Sequence, residues 1–308
     1  MARILVTGGA GFIGSHLVDA LVAKRHKVAV VDNLSTGKRQ NVPAGVEFFR
    51  KDIRSPRIKD VFRRVRPQFV FHLAAQKNVR MSVDDPLFDA DVNIAGSLNV
   101  IEQSRRFGVK RFIFSSTGGA LYGDNVPRPT PETVPPRPES PYGIAKFTVE
   151  QYLNFYLLNR GLNSVSLRYA NVYGPRQDPK GEAGVVAVFA ERLLHGKPPI
   201  IFGHGRQTRD YVHVSDVVQV NLLAMKYPQI GGQINIGTAV QTSVNDLVRT
   251  MMKVSGITLP VKHRLAPAGE VSKSSLSWAL ARKQLTWKPK VHIDHGLRTT
   301  WAWAKTAL

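Results

Sequence analysis

Short apolar runs alternate with longer amphipathic stretches through the first half of the chain. The strand-length runs lie at 4–7, 28–31, 46–49, 69–72, 111–114 and 164–167. Several of them are apolar throughout, which is typical of strands covered by helices on both faces of a parallel sheet. The pattern predicts repeated β–α–β units and therefore an α/β fold with a Rossmann-type doubly wound parallel sheet. Ligands of such a sheet bind outside the carboxyl ends of its strands.

The rhythm of strands and helices changes after about Ala170. Glycine and proline then punctuate the chain, and the segments between them are shorter. This change predicts a second, smaller domain of mixed α/β structure. The domain bounds that we predict are 1–170 with a returning segment near 212–238 for the Rossmann domain, and 171–211 with 239–308 for the smaller domain.

The segment from Pro127 to Pro141 contains seven prolines, its two end residues included. Proline has no backbone N–H, and it also disfavours helical geometry in the residue before it. We therefore predict an extended loop over 127–141, which leads the chain to Tyr142.

A glycine-rich turn, TGGAGFIG at 7–14, follows the first predicted strand and precedes a predicted helix through 16–21. Gly8, Gly11 and Gly14 permit a tight turn, close approach of the backbone to a pyrophosphate and close helix packing. The amino terminus of the helix offers N–H donors to the anion. Asp32 ends the second strand, where a carboxylate accepts hydrogen bonds from ribose hydroxyls and repels a 2′-phosphate. The combination predicts a dinucleotide site that favours NAD, while nearby Lys38 and Arg39 leave NADP open.

A phenol and an ammonium lie one helical turn apart in the segment YGIAK, at Tyr142 and Lys146. A tyrosine normally ionises near pH ~10, but an adjacent ammonium and a positively charged nicotinamide favour the phenolate. Tyr142 could thereby act as a general base. Hydroxyl groups follow the strand 111–114 in the segment SSTGG, where Ser116 or Thr117 could orient a substrate proton. A surface Tyr–Lys pair and a loop with local turn bonds are the alternatives that these residues allow.

The composition excludes several kinds of site. The chain of 308 residues contains no cysteine, so disulfides, thiolate metal sites and thiol nucleophiles are ruled out. His292 and His295 have no acidic partners at ligand spacing, so we expect a surface pair and no metal site.

No apolar run approaches the ~18 residues that span a bilayer, and the first strand begins too early to leave room for a signal peptide. We expect a cytoplasmic protein with no membrane partner.

The formal net charge of +21 is large and is spread along the chain. Such a charge attracts anions, which include phosphorylated small molecules and nucleic acid. A solvated basic surface without a specific partner is an equal alternative. Charge alone therefore does not identify a ligand.

Six motifs are distributed along the chain: TGGAGFIG at 7–14, HLAA at 72–75, SSTGGALYG at 115–123, YGIAK at 142–146, RYANVYGPRQ at 168–177 and TRDYVHVSD at 208–216. Together they resemble the extended short-chain dehydrogenase/reductases of the NAD-dependent epimerase/dehydratase family, particularly the UDP-glucose 4-epimerases. The resemblance runs over nearly the whole chain and in the order of that family.

The resemblance implies a role for many single residues. Thr117, Tyr142 and Lys146 would be catalytic. NAD would contact Gly8, Gly11, Phe12, Ile13, Gly14, Asp32, Asn33, Leu34, Ser35, Thr36, Gly37, Asp52, Ile53, Leu73, Ala74, Ala75, Gln76, Lys77, Asn93, Tyr142 and Lys146. The nucleotide sugar would contact Thr117, Tyr142, Asn171, Gly184, Val185, Phe202 and Arg209, with no metal involved.

The implied reaction interconverts UDP-galactose and UDP-glucose through a transient 4-keto sugar and tightly bound NAD. Another UDP-sugar, such as UDP-N-acetylglucosamine or a UDP-uronic acid, is an alternative substrate. Dehydration is disfavoured because Gly118 and Gly119 stand where related dehydratases carry an acid and a base. The chain also departs from the family at Pro267, where a second arginine usually contacts the diphosphate.

The resemblance also bears on partners. Family members commonly form homodimers through two long helices, which would lie near 85–107 and 142–160. A non-enzymatic alternative is an RNA-binding protein of the same fold, for which the arginine-rich clusters at 63–66 and 105–111 would form the surface. The intact Tyr142, Lys146 and Thr117 argue for the enzyme, so we do not expect a nucleic-acid partner.

Overall fold

The computed structural model describes residues 1–180, 184–265 and 271–308. Its strands are β1 Arg3–Thr7, β2 Lys27–Asp32, β3 Glu47–Arg50, β4 Phe69–His72, β5 Arg111–Thr117, β6 Ser164–Tyr169, β7 Asn171–Tyr173, β8 Ile200–Phe202, β9 Thr208–Arg209, β10 Tyr211–His213, β11 Gly232–Ile236, β12 Thr242–Ser243 and β13 Lys262–Arg264. Its α-helices are α1 Phe12–Ala23, α2 Ile58–Val65, α3 Val79–Asp84, α4 Pro86–Ala90, α5 Ser97–Arg106, α6 Pro141–Arg160, α7 Val185–Leu194, α8 Val214–Lys226, α9 Val244–Ser255, α10 Ala279–Leu285 and α11 Ile293–Ala307.

A seven-stranded sheet has the order β11-β6-β5-β4-β1-β2-β3. The pairings among its first five strands are parallel. Strand order reverses at the neighbours β1 and β4, which is the topological switch point of a doubly wound sheet. The predicted Rossmann-type fold is therefore confirmed, and each of the six predicted strands is present within a residue or a few of its expected bounds.

The chain divides into two compact units. Unit 1 comprises 1–121, 138–168 and 218–234, and unit 2 comprises 122–137, 169–217 and 235–308. The segment 122–137 groups with unit 2 although we predicted it within the Rossmann domain. The reason lies in its hydrogen bonds, because Thr130 N–H donates to the Ser275 carbonyl and the Arg128 guanidinium donates to the Lys273 carbonyl.

The core of unit 1 is apolar, with one buried guanidinium at its edge. Leu5, Phe62 and Phe112 belong to a cluster in which each is fully buried. Arg111 is also fully buried, and it donates to the carbonyls of Ala224, Ser164, Pro228 and Ile230. Our placement of Arg111 in a basic surface cluster was therefore wrong, because this side chain satisfies backbone carbonyls inside the fold.

Unit 2 contains short strands and a separate apolar core. Its two-stranded pairings join β10 to β7, β12 to β9 and β13 to β8. Phe189, Leu247 and Leu297 are fully buried in this core, which brings α7, α9 and α11 together. Unit 2 is thus the smaller unit of mixed α/β structure, and it has a largely helical core with few, short strands.

Two features outside the sheet match the sequence analysis. No helix or named strand lies in the proline-rich stretch before α6, which begins at Pro141 with Ser140 as its N-cap. His292 and His295 are both exposed at the start of α11. Among the described residues, no cluster of side chains could hold a metal ion, and no helix is both long and apolar enough to cross a bilayer.

Candidate active site

The glycine-rich turn joins β1 to α1 with its backbone drawn very close together. Gly8 has a φ of +71°, and a Cβ at this position would lie 2.6 Å from the Ala74 nitrogen. A Cβ on Gly14 would lie 2.1 Å from the Gly8 carbonyl oxygen. Only glycine fits at both positions. Gly11 is the N-cap of α1 and offers no side chain to the first N–H groups of the helix, which leaves a helix terminus suited to an anion.

A buried hydrogen-bond chain fixes this turn to the neighbouring strand. The Thr7 hydroxyl lies 2.7 Å from His72 Nδ1 and accepts a hydrogen bond from the Ala74 N–H at 3.3 Å. His72 Nε2 lies 2.9 Å from the Ser97 hydroxyl on α5. Burial lowers the pKa of His72 to about 3, so the ring is neutral. The carboxyl ends of β1 and β4 are thereby held in register at the switch point.

Asp32 lies at the carboxyl end of β2 and is engaged by the backbone. Its two oxygens accept hydrogen bonds from the Ala10 N–H at 3.0 Å and the Leu34 N–H at 2.8 Å. Burial raises the pKa of this carboxyl, and the two N–H donors oppose that rise. The predicted ribose-binding acid is therefore oriented by the same turn that offers the phosphate donors. Arg39 stacks over the Phe48 ring, 4.8 Å from its centroid.

A second carboxylate follows β3. Asp52 accepts hydrogen bonds from Asn33 Nδ2 at 3.0 Å and from the Arg54 guanidinium at 2.9 Å. The hydrogen bond from Arg54 is the main reason that the pKa of Asp52 falls to about 2. Ile53 beside it is buried and lies against Gly96, where a Cβ would lie 2.8 Å from its Cδ1.

The segment after β4 is held by an amide pair. The Gln76 N–H donates to Asn93 Oδ1 at 2.9 Å, and Asn93 Nδ2 donates back to the Gln76 carbonyl at 2.9 Å. Both side-chain amides also donate to one oxygen of Asp89 on α4 at 2.9 Å. Asp89 is a buried residue that the sequence analysis did not single out.

All the residues predicted to contact NAD belong to unit 1. The structure gathers them at the carboxyl ends of β1, β2, β3 and β4 and at the starts of α1 and α6, with Asn93 on the helical segment before α5. The members not discussed individually are Phe12 and Ile13 at the start of α1, Ser35, Thr36 and Gly37 in the loop after β2, and Leu73, Ala75 and Lys77 after β4.

The start of α6 places the predicted base. The Ser140 hydroxyl accepts a hydrogen bond from the Gly143 N–H at 3.2 Å and so caps the helix. A Cβ on Gly143 would lie 2.5 Å from the Ala120 carbonyl oxygen, so the helix packs directly on the loop after β5. The Tyr142 N–H donates to the Ser82 hydroxyl at 3.1 Å. These contacts fix the first turn of α6.

Lys146 lies one turn further along α6 and is only 4% exposed. Its Nζ donates to the Ser115 carbonyl at 3.0 Å and lies 5.9 Å from the centroid of the Tyr142 ring and 4.8 Å from that of Phe114. Burial lowers the pKa of Lys146 to about 8, while the charges of Asp89 and Glu150 oppose the fall. The phenol and the ammonium predicted from the sequence are therefore together in the structure.

The end of β5 distinguishes Ser116 from Thr117. Neighbouring residues of a strand point to opposite faces. Ser116 is buried and donates to a carboxylate oxygen of Glu150 at 2.6 Å. Thr117 is only partly buried, and its hydroxyl accepts a hydrogen bond from the Ala120 N–H at 3.3 Å. Thr117 is thus the hydroxyl of this pair that remains accessible on unit 1.

Two of the predicted substrate residues are neighbours of Asp210 in unit 2. Arg209 lies on β9, opposite Thr242 of β12, and its guanidinium donates to the Thr208 carbonyl at 2.9 Å. The Asn171 N–H donates to the Asp210 carbonyl at 2.9 Å, and Asn171 is exposed. The backbone segments that carry Asn171 and Arg209 therefore lie next to each other.

The Asp210 side chain stabilises the backbone around Asn171 and Arg209 from the interior of unit 2. It is fully buried and accepts hydrogen bonds from the N–H groups of Thr238, Ala239 and Leu276 at 2.8 to 3.1 Å. Burial raises the pKa of this carboxyl, and the hydrogen bonds from Thr238 are the largest opposing effect. Asp210 was not predicted as a functional residue.

The other predicted substrate residues are also in unit 2. Gly184 is the N-cap of α7, of which Val185 is the first residue, and Gln177 packs against Gly184. Phe202 ends β8, is 38% exposed, and pairs in register with Arg264 of β13. Pro267, where the family usually has a second arginine, lies outside the described residues.

Comparisons with known proteins agree with this geometry. The family model described as "NAD dependent epimerase/dehydratase family" matches residues 4–237. The UDP-glucose 4-epimerase of Mycolicibacterium smegmatis is 42% identical over 304 residues, which cover 97% of each chain.

Two solved structures are similar over nearly their whole length. The UDP-glucose 4-epimerase of Thermotoga maritima, solved with UDP-glucose, has a TM-score of 0.96 and 50% identity over 98% of both chains. The UDP-glucose 4-epimerase of Thermus thermophilus, solved with NAD, has a TM-score of 0.94 and 46% identity over 99% of this chain and all of the other. The chain belongs to the NAD-dependent epimerase/dehydratase family.

Proposed function

We propose that this protein is a UDP-glucose 4-epimerase, which interconverts UDP-galactose and UDP-glucose with NAD as its bound cofactor. The observation that carries the proposal is the placement of Tyr142 and Lys146 on the first turns of α6, beside the hydroxyl-bearing end of β5. The relatives named above carry this activity in their names. The test is direct: purified protein incubated with UDP-galactose should form UDP-glucose, and the absence of turnover would refute the proposal.

The residues of unit 1 fit a bound dinucleotide. Gly8 and Gly14 line a narrow space that any Cβ would fill. The start of α1 has no side-chain cap, so its N–H groups can donate hydrogen bonds to an anion. Asp32 would hold the ribose, which favours NAD over NADP. When bound, NAD would supply the reversible hydride transfer at carbon 4 of the sugar.

The protein's own part in the reaction is proton transfer and orientation. Tyr142 would take the proton of the sugar 4-hydroxyl as the 4-keto sugar forms, and would give it back when the alcohol is restored. Lys146 would favour the phenolate through its positive charge. Thr117 would hydrogen-bond the same hydroxyl and align its proton with Tyr142. No acid or base stands at Gly118 or Gly119, so these positions provide no proton transfer for loss of water.

Arg209 is proposed to hold the diphosphate, because a guanidinium is a permanently charged, forked donor. We expect Arg209→Met to raise the KM for UDP-galactose by about 10- to 100-fold, since a hydrogen bond to a charged group is worth about 1.5–3 kcal/mol. The change in kcat should be smaller. Steady-state kinetics measure both constants.

Arg206→Met is the matched control for this variant. Arg206 is exposed and lies three residues earlier in the same segment. If both variants raise KM equally, a general loss of positive charge explains the effect, and the assignment of Arg209 is refuted.

The lowered pKa of Lys146 predicts a fall of activity at alkaline pH. Its ammonium should be lost as the pH rises through about 8, well below the usual ~10.4 for lysine. Loss of that charge disfavours the Tyr142 phenolate, so kcat/KM for UDP-galactose should decline above that pH. Circular dichroism over the same pH range separates this effect from unfolding. A plateau of activity up to pH 10 would contradict the expectation.

A homodimer is part of the proposal. The helical face predicted for it consists of α6 together with the continuous helical segment 86–106, which includes one π-helical stretch at Asp91–Gly96. On α6, Tyr152, Phe155 and Leu158 are 40%, 45% and 81% exposed. An open groove of about 450 Å³ on the same helix is lined by Phe147, Thr148, Gln151, Tyr152 and Phe155. Such apolar exposure along one helix favours a second copy of the same helix as its partner.

We expect Phe155→Glu to convert the dimer to a monomer, because a carboxylate buried in an apolar interface without a partner is strongly unfavourable. Light scattering after size-exclusion chromatography reports the mass directly. Leu265→Glu is the control, since Leu265 is an exposed leucine of unit 2 outside this face. Two variants of equal mass in solution would contradict the proposed interface.

The proposal also includes a cytoplasmic role in galactose metabolism, which suits an enzyme of nucleotide sugars. The basic clusters of the RNA-binding alternative are partly neutralised: Arg63 pairs with Asp60, and Arg105 and Arg106 both pair with Glu102. These pairings leave less unpaired positive charge for a phosphate backbone. No observation favours the RNA-binding alternative over the enzyme.

A further inference from the structure

Unit 1 contains a buried ion pair beside the proposed catalytic residues. Glu150 on α6 is fully buried, and Arg168 on β6 is 3% exposed. Arg168 Nε lies 3.0 and 3.2 Å from the two carboxylate oxygens, and Nη2 lies 2.5 Å from one of them. The Ser116 hydroxyl donates to the same carboxylate at 2.6 Å. Glu150 thus joins β5, β6 and α6 at a single point.

This point adjoins the groups that carry the proposed chemistry. Ser116 stands between Ser115, whose carbonyl accepts the hydrogen bond of Lys146 at 3.0 Å, and Thr117. Glu150 follows Lys146 by four residues on α6, and residues at this spacing are neighbours on one helix face. Any shift of Glu150 would therefore move Thr117 through the strand and Lys146 through the helix.

We infer that Glu150, held by Arg168, is a positioning residue for the proton-transfer site. It fixes the end of β5 against α6 through Ser116 and supplies negative charge beside the Lys146 ammonium. The inference rests on the proposed function and deepens it, because it assigns roles to two buried residues that make no proposed contact with cofactor or substrate.

The charged and titratable groups around Lys146 define what Glu150 can do. Asp89 on α4 and Glu150 are the two carboxylates whose charges stabilise the ammonium. His72 on β4 is neutral, since burial lowers its pKa to about 3. Tyr142 is the titratable group whose ionisation the ammonium favours. Loss of the Glu150 charge should therefore lower the pKa of Lys146 further, so the ammonium that favours the Tyr142 phenolate is lost at lower pH.

Ser116→Ala tests the positioning role without a change of charge. We expect kcat for UDP-galactose to fall about tenfold with KM and the pH profile unchanged, because Thr117 and Lys146 lose their common anchor. Ser104→Ala is the matched control: Ser104 is also buried in unit 1, and its hydroxyl donates to the Val100 carbonyl on α5, away from these residues. Equal kcat values for the two variants would overturn the inference.

Glu150→Gln tests the electrostatic role. The alkaline limb of the activity profile should move to lower pH by about one unit, as expected when an opposite charge is removed from a close pair. Glu150→Asp retains the charge, so its limb should stay at the wild-type position even if kcat falls. A merely structural role would lower activity at every pH and leave the limb in place, which would overturn the inference.

Glu150→Gln leaves a buried guanidinium without its carboxylate, so Glu150→Leu/Arg168→Met, which restores an apolar pair, is its companion. The double variant loses opposite charges together, so its alkaline limb should stay close to the wild-type position while kcat falls as in Ser116→Ala, because the anchor of β5 on α6 is lost. The ionisation of Lys146 itself can be followed without turnover, as the pH dependence of its acylation resolved by peptide mass spectrometry, and this measurement tests the inference even if UDP-galactose proves not to be a substrate. The ionisation should move to lower pH in Glu150→Gln and stay in place in the double variant. No shift in Glu150→Gln, or equal shifts in the two variants, would overturn the inference.

Discussion

Tyr142→Phe should lower kcat for UDP-galactose by about 10²- to 10⁴-fold, because a positioned general base contributes a factor of this size. The substitution removes only the phenolic oxygen, so the capped first turn of α6 and the Lys146 hydrogen bond to Ser115 stay as they are. NAD should remain bound. The formation of UDP-glucose and the NAD content of the purified protein are the two measurements.

Tyr152→Phe is the control for this variant. Tyr152 lies on the same helix and is 40% exposed, and loss of its hydroxyl should leave kcat within about twofold of the wild type. If Tyr142→Phe retained full turnover, Tyr142 would not be the base, and the proposed mechanism would fail with the epimerase fold intact.

The sequence was sufficient to predict the elements that carry strong local signals. Each strand of the first half is a short β-branched or aromatic run, and the proline-rich stretch ends where α6 begins at Pro141. Strand β11, by contrast, reads Gly-Gln-Ile-Asn-Ile and lacks a continuous apolar run. It is a strand because it pairs with β6 at the edge of the sheet, which is a tertiary effect that overrides local propensity.

The sequence predicted those parts of the site whose functional residues lie close together along the chain. The Tyr142 and Lys146 pair and the glycine turn have short, recognisable spacings. In the structure, Tyr142 and Lys146 lie close together, and the glycines of the turn are closely packed. Glu150, Asp89 and Asp210 could not be found in this way. A buried carboxylate looks like a surface charge in the sequence until its partners are known, and Asp210 finds one of them 66 residues away at Leu276.

Arg111 shows the same limit in the opposite direction. Its neighbours Lys110, Arg105 and Arg106 made it look like a member of a basic surface patch. In the fold it is buried, and burial without a carboxylate lowers its pKa to about 10. The carbonyls that it satisfies belong to residues more than 100 positions further along the chain, apart from Ser164. No local pattern could have revealed them.

Gly14→Ala should both destabilise unit 1 and abolish tight NAD binding. The new Cβ would lie 2.1 Å from the Gly8 carbonyl oxygen and 2.9 Å from the Gly9 Cα, and both contacts are with backbone that a side-chain rotation cannot relieve. The turn must open, which typically costs about 1–3 kcal/mol. Opening also withdraws the first N–H groups of α1 from the pyrophosphate. We expect the NAD affinity to fall at least about 100-fold, since two charge-assisted hydrogen bonds are worth at least about 3 kcal/mol.

Gly45→Ala separates these two effects. Gly45 has a positive φ of +81°, and nothing lies within 4 Å of the position that a Cβ would occupy. Its replacement should therefore cost backbone strain alone, about 1 kcal/mol, and leave NAD binding unchanged. Thermal melts and the NAD released on denaturation compare the two variants. The steric conflict at Gly14 displaces the N–H groups that are proposed to bind the pyrophosphate. If Gly14→Ala were only less stable and bound NAD as tightly as Gly45→Ala, the proposed contact between the glycine turn and the pyrophosphate would be wrong.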